Sequence, residues 1–367
     1  MQMKEKVSEL RAKGRKIIDL TLGEPDFDTP EAVKKAAREA LDLNLTHYTS
    51  AAGTPELRSE IASYLAKRGI TASAGNIIAT PGAKQAVFYL LSSICGAGDE
   101  VLLPEPTWLS YAEIAKLSGA KVVPVPSSEK EGFVPPIERL MHAAGSRAKA
   151  VIINNPANPT GAMYGRDYVS ELAEFCGKKG ICLISDEIYS DIVYGGAKFF
   201  SAAECGLESV VLVSGMSKMA AMTGWRIGYI AANEKIVQGC VKMQQQTATC
   251  PSSISQHAAI AALKCHSSYA GTMLSQYEKR RSLMVSGLSG IPKISFFIPK
   301  GAFYVFMDMR KICATSEEAA LFLLEKAGVA SVPGSAFGKS GEGWVRLSFA
   351  TDERTILQAV AAIKGAL

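Results

Sequence analysis

The feature that most constrains the fold of this chain is a series of short apolar runs with longer segments between them. The runs lie at Ile77–Ala79, Val101–Leu103, Lys121–Val125, Ala150–Ile153, Ile181–Ser185, Val210–Ser214 and Ile227–Ala231. Most gaps are 17 to 27 residues long, and several, notably 83–94, 108–118 and 166–180, have helical periodicity. Buried strands that alternate with helices predict βαβ units and a mostly parallel sheet. The last gap holds only 12 residues, which is short for a parallel crossover, so we expect the last strand to be antiparallel.

The two ends of the chain predict a second, smaller α/β domain. After a long helical stretch, about 233–285, apolar and polar residues alternate as they do in an antiparallel sheet. Strands are predicted at Ile294–Ile298, Phe303–Met307 and Val345–Phe349, with helices at 316–327 and 352–366. The N-terminal part predicts helices at 4–14, 31–41 and 56–68, a short strand at Lys16–Leu20 and a turn-rich loop at Thr21–Pro30.

Composition argues against several classes of protein. The 367 residues are 48% hydrophobic and 20% charged with a formal net charge of +5, so neither nucleic acid nor a membrane surface is an expected partner. No apolar stretch reaches the roughly 18 residues of a membrane span. The histidines show no metal-binding spacing, so no metal site is expected. The eight cysteines form no CxxC pair and mostly lie in apolar runs, which indicates buried free thiols in a reducing, cytoplasmic compartment.

Lys218 is the strongest candidate for a catalytic residue. It is the only charged residue between Glu208 and Arg226, and it follows the apolar run Val210–Val213. Burial of an unpaired ammonium is costly and favours the neutral amine, which acts as a nucleophile near neutral pH. The alternative is a lysine whose stem is buried while its ammonium reaches water. We favour the catalytic interpretation because other strands are followed by complementary groups.

These groups follow neighbouring strands, and ligands of parallel sheets bind beyond the carboxyl ends of the strands. Gly82-Ala83-Lys84 opens a helix, where free N–H groups and small residues suit a phosphate, although many helices begin in this way. Asp186 either caps a helix or holds a heteroaromatic N–H⁺ group, with Tyr189 on the same side of the turn.

Three further residues are candidates for ligand contacts. Asn158 belongs to Asn154–Gly161, where two Asn-Pro dipeptides and a glycine either form a plain loop or present an amide to a ligand. Trp108 is either a core residue or a stacking platform. Arg346 lies in an apolar strand, and a carboxylate is the best match for its guanidinium. Gly334–Ser340 looks like a nucleotide-binding loop, but it has three residues between its glycines instead of four, so we interpret it as an ordinary loop.

Taken together, these stretches resemble the fold-type I, pyridoxal-phosphate-dependent aminotransferases of class I, specifically the bacterial aspartate aminotransferases. The resemblance covers nearly the whole chain and is carried by Gly23–Phe27, Asn158–Gly161, Ser185–Tyr189, Ser217-Lys218, Met222–Tyr229 and Val345–Phe349. It implies a mostly parallel central sheet flanked by helices in a large cofactor-binding domain, residues 44–282. Residues 1–43 together with 283–367 would form the small domain.

The resemblance also implies which residues bind pyridoxal 5′-phosphate and the substrate. Lys218 would form the Schiff base with the cofactor aldehyde and act as the base on the substrate Cα. Asp186 would pair with the pyridine nitrogen. The other implied cofactor contacts are Trp108, Asn158 and Tyr189 at the ring, and Gly82, Ala83, Ser217, Arg226 and a second subunit's Tyr48 at the phosphate. Arg346 would bind the substrate α-carboxylate, and Gly23, Trp108 and Asn158 would also border the substrate.

The implied reaction moves the amino group of an acidic amino acid, aspartate or glutamate, to a 2-oxo acid such as 2-oxoglutarate. Family members that read the distal carboxylate with an arginine of the partner subunit carry it in a segment that corresponds to Met243–Pro251, which has no arginine here. Lys84 and Thr21 instead match a bacterial subgroup in which the lysine is linked to acidic substrates. Alternatively, Lys84 supports the phosphate or lies in solvent.

The same residues are compatible with other functions. An aromatic or prephenate aminotransferase shares every cofactor residue named above. A pyridoxal-phosphate-dependent lyase or synthase uses the same fold but cleaves a different bond at Cα, and fold does not fix function. A pyridoxal-phosphate-binding transcription regulator would need a DNA-binding module, for which residues 1–20 are too short. Through Tyr48, the resemblance implies a homodimer.

Overall fold

Helices and strands alternate along most of the chain in the computed structural model, which describes residues 2–367, with side chains described from Lys6 onward. The helices are α1 (Gln2–Ala12), α2 (Glu31–Asp42), α3 (Pro55–Ala66), α4 (Ala83–Ile94), α5 (Ser110–Leu117), α6 (Ile137–Ala143), α7 (Arg166–Lys179), α8 (Met216–Met219), α9 (Glu234–Gln245), α10 (Ser253–Lys264), α11 (His266–Leu288), α12 (Ser316–Phe322) and α13 (Glu353–Ala366). The strands are β1 (Ile18–Asp19), β2 (Ile77–Thr80), β3 (Glu100–Glu105), β4 (Lys121–Pro126), β5 (Ala148–Asn154), β6 (Cys182–Asp186), β7 (Val210–Gly215), β8 (Gly228–Ala231), β9 (Ser295–Phe297), β10 (Tyr304–Asp308), β11 (Val329–Ala330), β12 (Val332–Pro333) and β13 (Trp344–Ser348).

The central sheet has seven strands in the order β2-β8-β7-β6-β5-β3-β4. The ladders among β3 to β7 are parallel, whereas β8 is antiparallel to both β7 and β2. Every residue of β2, β7 and β8 is buried, which explains why these strands are continuous apolar runs in the sequence. The predicted mostly parallel sheet is confirmed, and so is the antiparallel last strand.

The helical stretch predicted at 233–285 consists of three helices, α9, α10 and α11. The chain leaves the helical path between α9 and α10, where Thr249 has a φ of 63° and Pro251 follows. Proline disfavours helical geometry in the residue before it, so the break falls here. The helix predicted to begin at Trp108 begins two residues later, at Ser110, and the one predicted at 316–327 is α12 followed by a π-helical turn, Leu323–Ala327.

A second, antiparallel sheet has the order β12-β13-β10-β9. The N-terminal segment joins this part of the structure, because β1 pairs in parallel with β11 and the N–H of Ser348 donates to the Leu20 carbonyl at 2.9 Å. The predicted domain boundary at residue 282 falls inside α11, and the division into residues 44–282 and 1–43 with 283–367 stays a prediction.

The cysteines differ from the expectation that they are buried. All eight are free thiols, but only Cys176 and Cys240 are buried, and Cys205 is exposed. Across residues 2–367, no helix has both the length and the apolar character needed to span a bilayer. Among the described side chains, no group of three or more His, Cys, Asp or Glu residues is placed to hold a metal ion.

Glu187, directly after β6, is a buried carboxyl group whose hydrogen-bond donors are neutral. Its Oε1 accepts hydrogen bonds from the Ser185 hydroxyl at 2.8 Å and the Ala202 N–H at 2.9 Å. Burial raises the pKa of Glu187 to about 7, against an ordinary value of 4.5. A raised pKa in the folded state means that the stability present below the ordinary pKa is lost as the pH rises through the raised one.

We therefore expect Glu187→Gln to flatten the pH dependence of stability. Between about pH 5 and about pH 8, the wild-type protein should lose on the order of 2–3 kcal/mol of unfolding free energy that the variant keeps, because glutamine stays neutral. Urea titrations at both pH values measure this difference. The exposed Glu138→Gln is the matched control. Equal pH slopes in the wild type and Glu187→Gln would contradict the expectation.

Candidate active site

Lys218 lies just beyond the carboxyl end of β7, in the short helix α8. Its Nζ donates a hydrogen bond to the carbonyl of Gly23 at 2.7 Å. Burial lowers the pKa of Lys218 to about 8; Arg226 lowers it further, while Glu24 and Asp186 oppose the shift. A substantial neutral fraction is therefore available near physiological pH, as a nucleophilic or basic amine requires.

The loop that carries Gly23 is held in place from two sides. Asp26 forms a two-pronged ion pair with Arg280, at 2.6 and 2.9 Å, and Arg280 is almost fully buried. On the other side, the hydroxyl of Thr29 accepts the indole N–H of Trp225 at 3.0 Å. Two-point Arg–carboxylate pairs fix orientation as well as distance, so the carbonyl that contacts Lys218 has a defined position.

Asp186 is the last residue of β6 and is buried in the same cavity. Its Oδ2 accepts the hydroxyl of Tyr111 at 2.6 Å, and its Oδ1 accepts the N–H of Ile188 at 3.1 Å. Burial raises the pKa of Asp186 to about 6, whereas these two hydrogen bonds and the charge of Lys218 oppose the rise. A carboxylate in this setting gains most from a cationic N–H partner.

Arg346, in β13, also lines the cavity. Its Nη1 donates to Oδ1 of Asn158 at 2.9 Å, and its Nη2 donates to the carbonyl of Thr21 at 2.7 Å. The guanidinium carbon lies 4.4 Å from the ring centroid of Tyr304 and 5.2 Å from that of Phe337. Its buried Nε has no hydrogen-bond partner among the described residues. The guanidinium is thus fixed in orientation and still suited to an anionic ligand.

Tyr189 and Asn158 lie between Asp186 and Arg346. The hydroxyls of Tyr189 and Tyr304 are 2.8 Å apart, and burial raises the pKa of Tyr189 well above its ordinary value. Asn154 supports Asn158, because its Oδ1 accepts the N–H of Asn158 at 2.8 Å. Two neutral hydrogen-bonding groups therefore border the cavity beside the buried carboxylate.

The start of α4 and Arg226 form a pocket for an anion. The first turn of an α-helix leaves backbone N–H groups free, and these bind phosphate. Arg226 is anchored through Nη1 to the carbonyl of Thr223 at 2.8 Å, and its guanidinium lies across Gly82. A Cβ at Gly82 would stand 2.6 Å from Nη2 of Arg226, so glycine at this position keeps the pocket open. Ala83 and Ser217 line the cavity beside it.

Trp108 and Lys84 border the cavity on the side of Asp186. The Trp108 ring packs edge-on against Tyr111, with centroids 5.2 Å apart. Lys84 is exposed, and its Nζ lies 4.9 Å from the centroid of the Trp108 ring. This ammonium is free to move toward a ligand because its present contact is a surface cation–π interaction, worth only about 0.5–1 kcal/mol.

A single cavity of about 620 Å³ brings most of the predicted residues together. Its lining includes Thr21, Gly23, Ala83, Lys84, Trp108, Asn158, Asp186, Tyr189, Ser217, Lys218, Arg226 and Arg346. The hydroxyl of Thr21 donates to Asp19 at 2.6 Å, so it is the Thr21 carbonyl that contacts Arg346. Gly82 lies behind Arg226. Tyr48 does not line this cavity: it is 86% exposed and borders a separate surface groove with His47 and Pro251.

The donors and acceptors of the cavity fit pyridoxal phosphate. The pocket at Gly82 offers N–H groups and a guanidinium to a phosphate. Asp186 offers a carboxylate to a ring nitrogen, and Lys218 offers a primary amine to an aldehyde. The guanidinium of Arg346, which the cofactor does not require, is then available to a carboxylate.

Sequence reasoning missed Tyr111, Tyr304 and Phe337. Tyr111 follows Trp108 by three residues, which places both on one face of a helical turn, and this spacing is the signal that identifies it. Tyr304 and Phe306 share one strand face by alternation, and Phe306 pairs with Arg346. Phe337 carries no sequence signal, since it lies in a loop whose packing depends on the whole fold.

Comparison with known proteins identifies the family. Residues 15–363 match the family model described as aminotransferase class I and II. Aspartate aminotransferase from Pyrococcus horikoshii is 37% identical over 99% of this chain and 95% of its own length. Aspartate/prephenate aminotransferase from Thermus thermophilus is 40% identical over 97% of this chain and 92% of its own length. A solved structure of a single mutant of Thermus thermophilus aspartate aminotransferase has a TM-score of 0.96 at 39% identity and covers 100% of this chain and 96% of that chain.

These similarities extend over almost the whole chain and include the seven-stranded and the four-stranded sheets. They confirm the predicted fold-type I architecture and the predicted class of cofactor. The chain belongs to the class I and II aminotransferase family, whose members are pyridoxal-phosphate-dependent transaminases.

Proposed function

We propose that this protein transfers the amino group of aspartate or glutamate to a 2-oxo acid such as 2-oxoglutarate. One observation carries the proposal: Lys218, Asp186 and Arg346 line the same cavity, so that an amine, a buried carboxylate and a guanidinium surround one substrate-sized space. The names of the relatives, aspartate and aspartate/prephenate aminotransferase, support the acidic donor.

The proposed cofactor contacts follow from the donors of the cavity. Asp186 would hold the pyridine nitrogen, Asn158 and Tyr189 the ring oxygen, and Trp108 the ring face. The phosphate would bind at Gly82, Ala83, Ser217 and Arg226. Bound pyridoxal phosphate supplies an electrophilic aldehyde and a conjugated ring that withdraws electrons from the substrate Cα.

Lys218 is the proposed general base. In its neutral form, Nζ takes the proton from the substrate Cα and later returns a proton during transfer of the amino group. The Gly23 carbonyl, 2.7 Å from Nζ, keeps the amine directed into the cavity. The lowered pKa of Lys218, about 8, lets the amine give and take a proton at small cost.

Arg346 is the proposed binding group for the substrate α-carboxylate. Asn158 and Thr21 fix two of its nitrogens, which leaves the guanidinium preorganised and reduces the entropy lost on binding. The rings of Tyr304 and Phe337 pack against the guanidinium and exclude water from it, and this strengthens a charge-assisted hydrogen bond.

Lys84 is the proposed partner of the distal carboxylate of aspartate or glutamate. It lines the same cavity as Arg346, so a dicarboxylic substrate would bridge two cations. An aromatic or prephenate aminotransferase is the second candidate, because the apolar side chains of Leu109, Val332 and Phe337 line the same cavity. Substrate ranking separates the two.

We also propose a homodimer in the cytoplasm. Leu41, Leu43, Leu45 and Tyr48 form an exposed, mostly apolar segment, and large exposed apolar surfaces are typical of interfaces. In a dimer, Tyr48 would reach the phosphate in the partner's cavity. Eight free thiols suit a reducing compartment.

Lys218→Ala should abolish transamination. We expect the rate of oxaloacetate formation from L-aspartate to fall by about 10³-fold or more, because a general base of this kind contributes about 10²–10⁴-fold. A single-turnover assay without an acceptor oxo acid measures the product, which should be stoichiometric with the wild-type enzyme. Lys279→Ala, whose ammonium pairs with Glu353 at 2.8 Å, is the control. Release of pyruvate and ammonia from L-serine, which carries a leaving group at Cβ, without an acceptor oxo acid would instead indicate a lyase.

Tyr111→Phe should lower kcat without removing any group proposed to touch the substrate. Loss of the hydroxyl 2.6 Å from Asp186 raises the pKa of that carboxyl further and weakens its hold on a ring N–H⁺. We expect kcat to fall by about 10- to 100-fold, since hydrogen bonds to charged groups are worth about 1.5–3 kcal/mol. Tyr168→Phe, which loses a 2.9 Å bond to the Pro135 carbonyl, should retain wild-type kcat. Equal kcat values in the two variants would refute the role of Tyr111.

Lys84→Met tests the substrate class, because methionine keeps apolar contact with Trp108 and removes only the charge. We expect kcat/KM for aspartate to fall by about 10-fold or more, while kcat/KM for phenylalanine changes less than about threefold. Lys116→Met, an exposed lysine paired with Glu113 at 2.7 Å, is the control. Unchanged relative rates on the two amino acids would rule out a role of Lys84 in acidic-substrate recognition.

A further inference from the structure

The loop between β12 and β13, residues 334–341, forms part of the substrate side of the cavity. Phe337 in this loop is buried, lines the cavity and lies 5.2 Å from the guanidinium carbon of Arg346. The loop consists of two short 3₁₀ turns, Gly334–Phe337 and Lys339–Gly341, and neither turn is a strand of a β-sheet. Its position therefore depends on contacts with the rest of the protein.

Glu105, the last residue of β3, makes such a contact. Its Oε2 accepts the N–H of Ser340 at 3.4 Å. A Cβ at Gly338 would lie 2.3 Å from the carboxyl carbon of Glu105 and 2.5 and 2.7 Å from its two oxygens. The carboxylate thus fills the space that any side chain at position 338 would need. Beside it, the N–H of Thr107 donates to the carbonyl of Phe337 at 2.9 Å.

Groups of this loop stabilise the negative charge of Glu105. Burial raises the pKa of Glu105, while the N–H groups of Ser340 and Lys339 and the charge of Lys339 oppose the rise. The backbone of Glu105 is held separately, because the hydroxyl and the N–H of Ser127 both donate to its carbonyl, at 2.6 and 2.9 Å. A change in the side chain therefore leaves the end of β3 in place and alters only the contact with the loop.

Glu105 also links the two walls of the cavity. Trp108, on the wall proposed to face the cofactor ring, follows Glu105 by three residues, whereas Phe337 precedes the bonded Ser340 by three. The carboxylate thus joins the chain segment of one wall to the chain segment of the other. The distance between Trp108 and Arg346 is the space in which a substrate would have to fit.

We propose that Glu105 is a positioning residue for substrate binding: its carboxylate holds loop 334–341 so that Phe337 packs against the guanidinium of Arg346. Without the carboxylate, the loop loses a charged acceptor, and Phe337 is held less firmly, by the backbone bond from Thr107. Arg346 then becomes more hydrated and less fixed, which weakens its bond to a carboxylate. This inference rests on the proposed function, in which Arg346 binds the substrate.

A double-mutant cycle on the cofactor-loaded enzyme tests the contact. For Glu105→Ala we expect KM for aspartate to rise by about 10-fold with kcat within about threefold of wild type, because a hydrogen bond to a charged group is lost. Phe337→Ala should raise KM similarly, since it removes the ring that packs against Arg346. In the Phe337→Ala background, Glu105→Ala should raise KM at most about twofold further, because the side chain through which it acts is gone. Additive effects would overturn the proposal.

Hydrogen exchange provides a readout that does not depend on activity. Amides of residues 334–343 should exchange faster in Glu105→Ala than in the wild type, and the content of bound cofactor should be unchanged. Glu100→Gln, at the other end of β3, removes the charge from a 2.7 Å ion pair with Arg147 and should match the wild type in KM and exchange. Glu105→Gln keeps one acceptor oxygen, so its KM should rise by only about threefold, and it replaces Glu105→Ala if the alanine variant does not fold.

The outcomes separate the two proposals. Wild-type enzyme that fails to convert aspartate would overturn the proposed function, and the role of Glu105 would fall with it. Active wild-type enzyme together with a wild-type KM in both Glu105 variants would overturn only the role of Glu105. A loss of kcat and bound cofactor at unchanged KM would also contradict it, because such a pattern indicates damage to the cofactor wall.

Discussion

Desolvation of Asp186 and Lys218 in one cavity is the constraint on which the rest of the site depends. Burial raises the pKa of the carboxyl group to about 6 and lowers that of the amine to about 8. The two pKa values thus move toward each other. Hydrogen bonds from Tyr111 to Asp186 and from Lys218 to the Gly23 carbonyl hold the carboxyl group and the amine in position. Proton transfer near neutral pH is fastest for groups with pKa values close to the pH, so burial itself prepares this site for acid–base chemistry.

The same low dielectric explains why the loops around the cavity are so firmly held. A misplaced acceptor in a dry site costs more than one in water, because no solvent replaces it. The ion pair between Asp26 and Arg280 fixes the loop that carries Gly23, and Asn154 fixes the backbone of Asn158. Neither Asp26, Arg280 nor Asn154 is proposed to touch the substrate. They nevertheless determine the positions of the Gly23 carbonyl, which accepts from Lys218, and of Asn158, which accepts from Arg346.

How much of this site could be predicted depends on whether a residue is placed by its own segment or by a distant one. Lys218 and Asp186 each follow a strand-like run, so the rule for the carboxyl ends of parallel strands places them without knowledge of strand pairing. The same patterns predicted the orientation of the strands, including the antiparallel last strand, but not their order in the sheet. The local spacing from Trp108 marks Tyr111 as a neighbour of that ring, but the partners of Tyr111 and Tyr304 are 75 and 115 residues away, and no local pattern identifies them. The sequence indicated that Arg346 needs an anionic ligand, but its two aromatic neighbours follow from the register of the small sheet and from a loop.

The contact between Lys84 and Trp108 offers a physical reason why one cavity would bind either an acidic or an aromatic amino acid. An ammonium over an exposed ring gains about 0.5–1 kcal/mol, whereas a charge-assisted hydrogen bond to a carboxylate gains about 1.5–3 kcal/mol. An acidic substrate would therefore draw Lys84 away from the ring with a net gain of about 0.5–2.5 kcal/mol, which follows from the difference between those ranges. An aromatic substrate would leave the pair intact and use the apolar wall that includes Leu109 and Phe337. In this arrangement the preference between the two classes is set by one mobile side chain, and the parts that hold the cofactor remain the same for both.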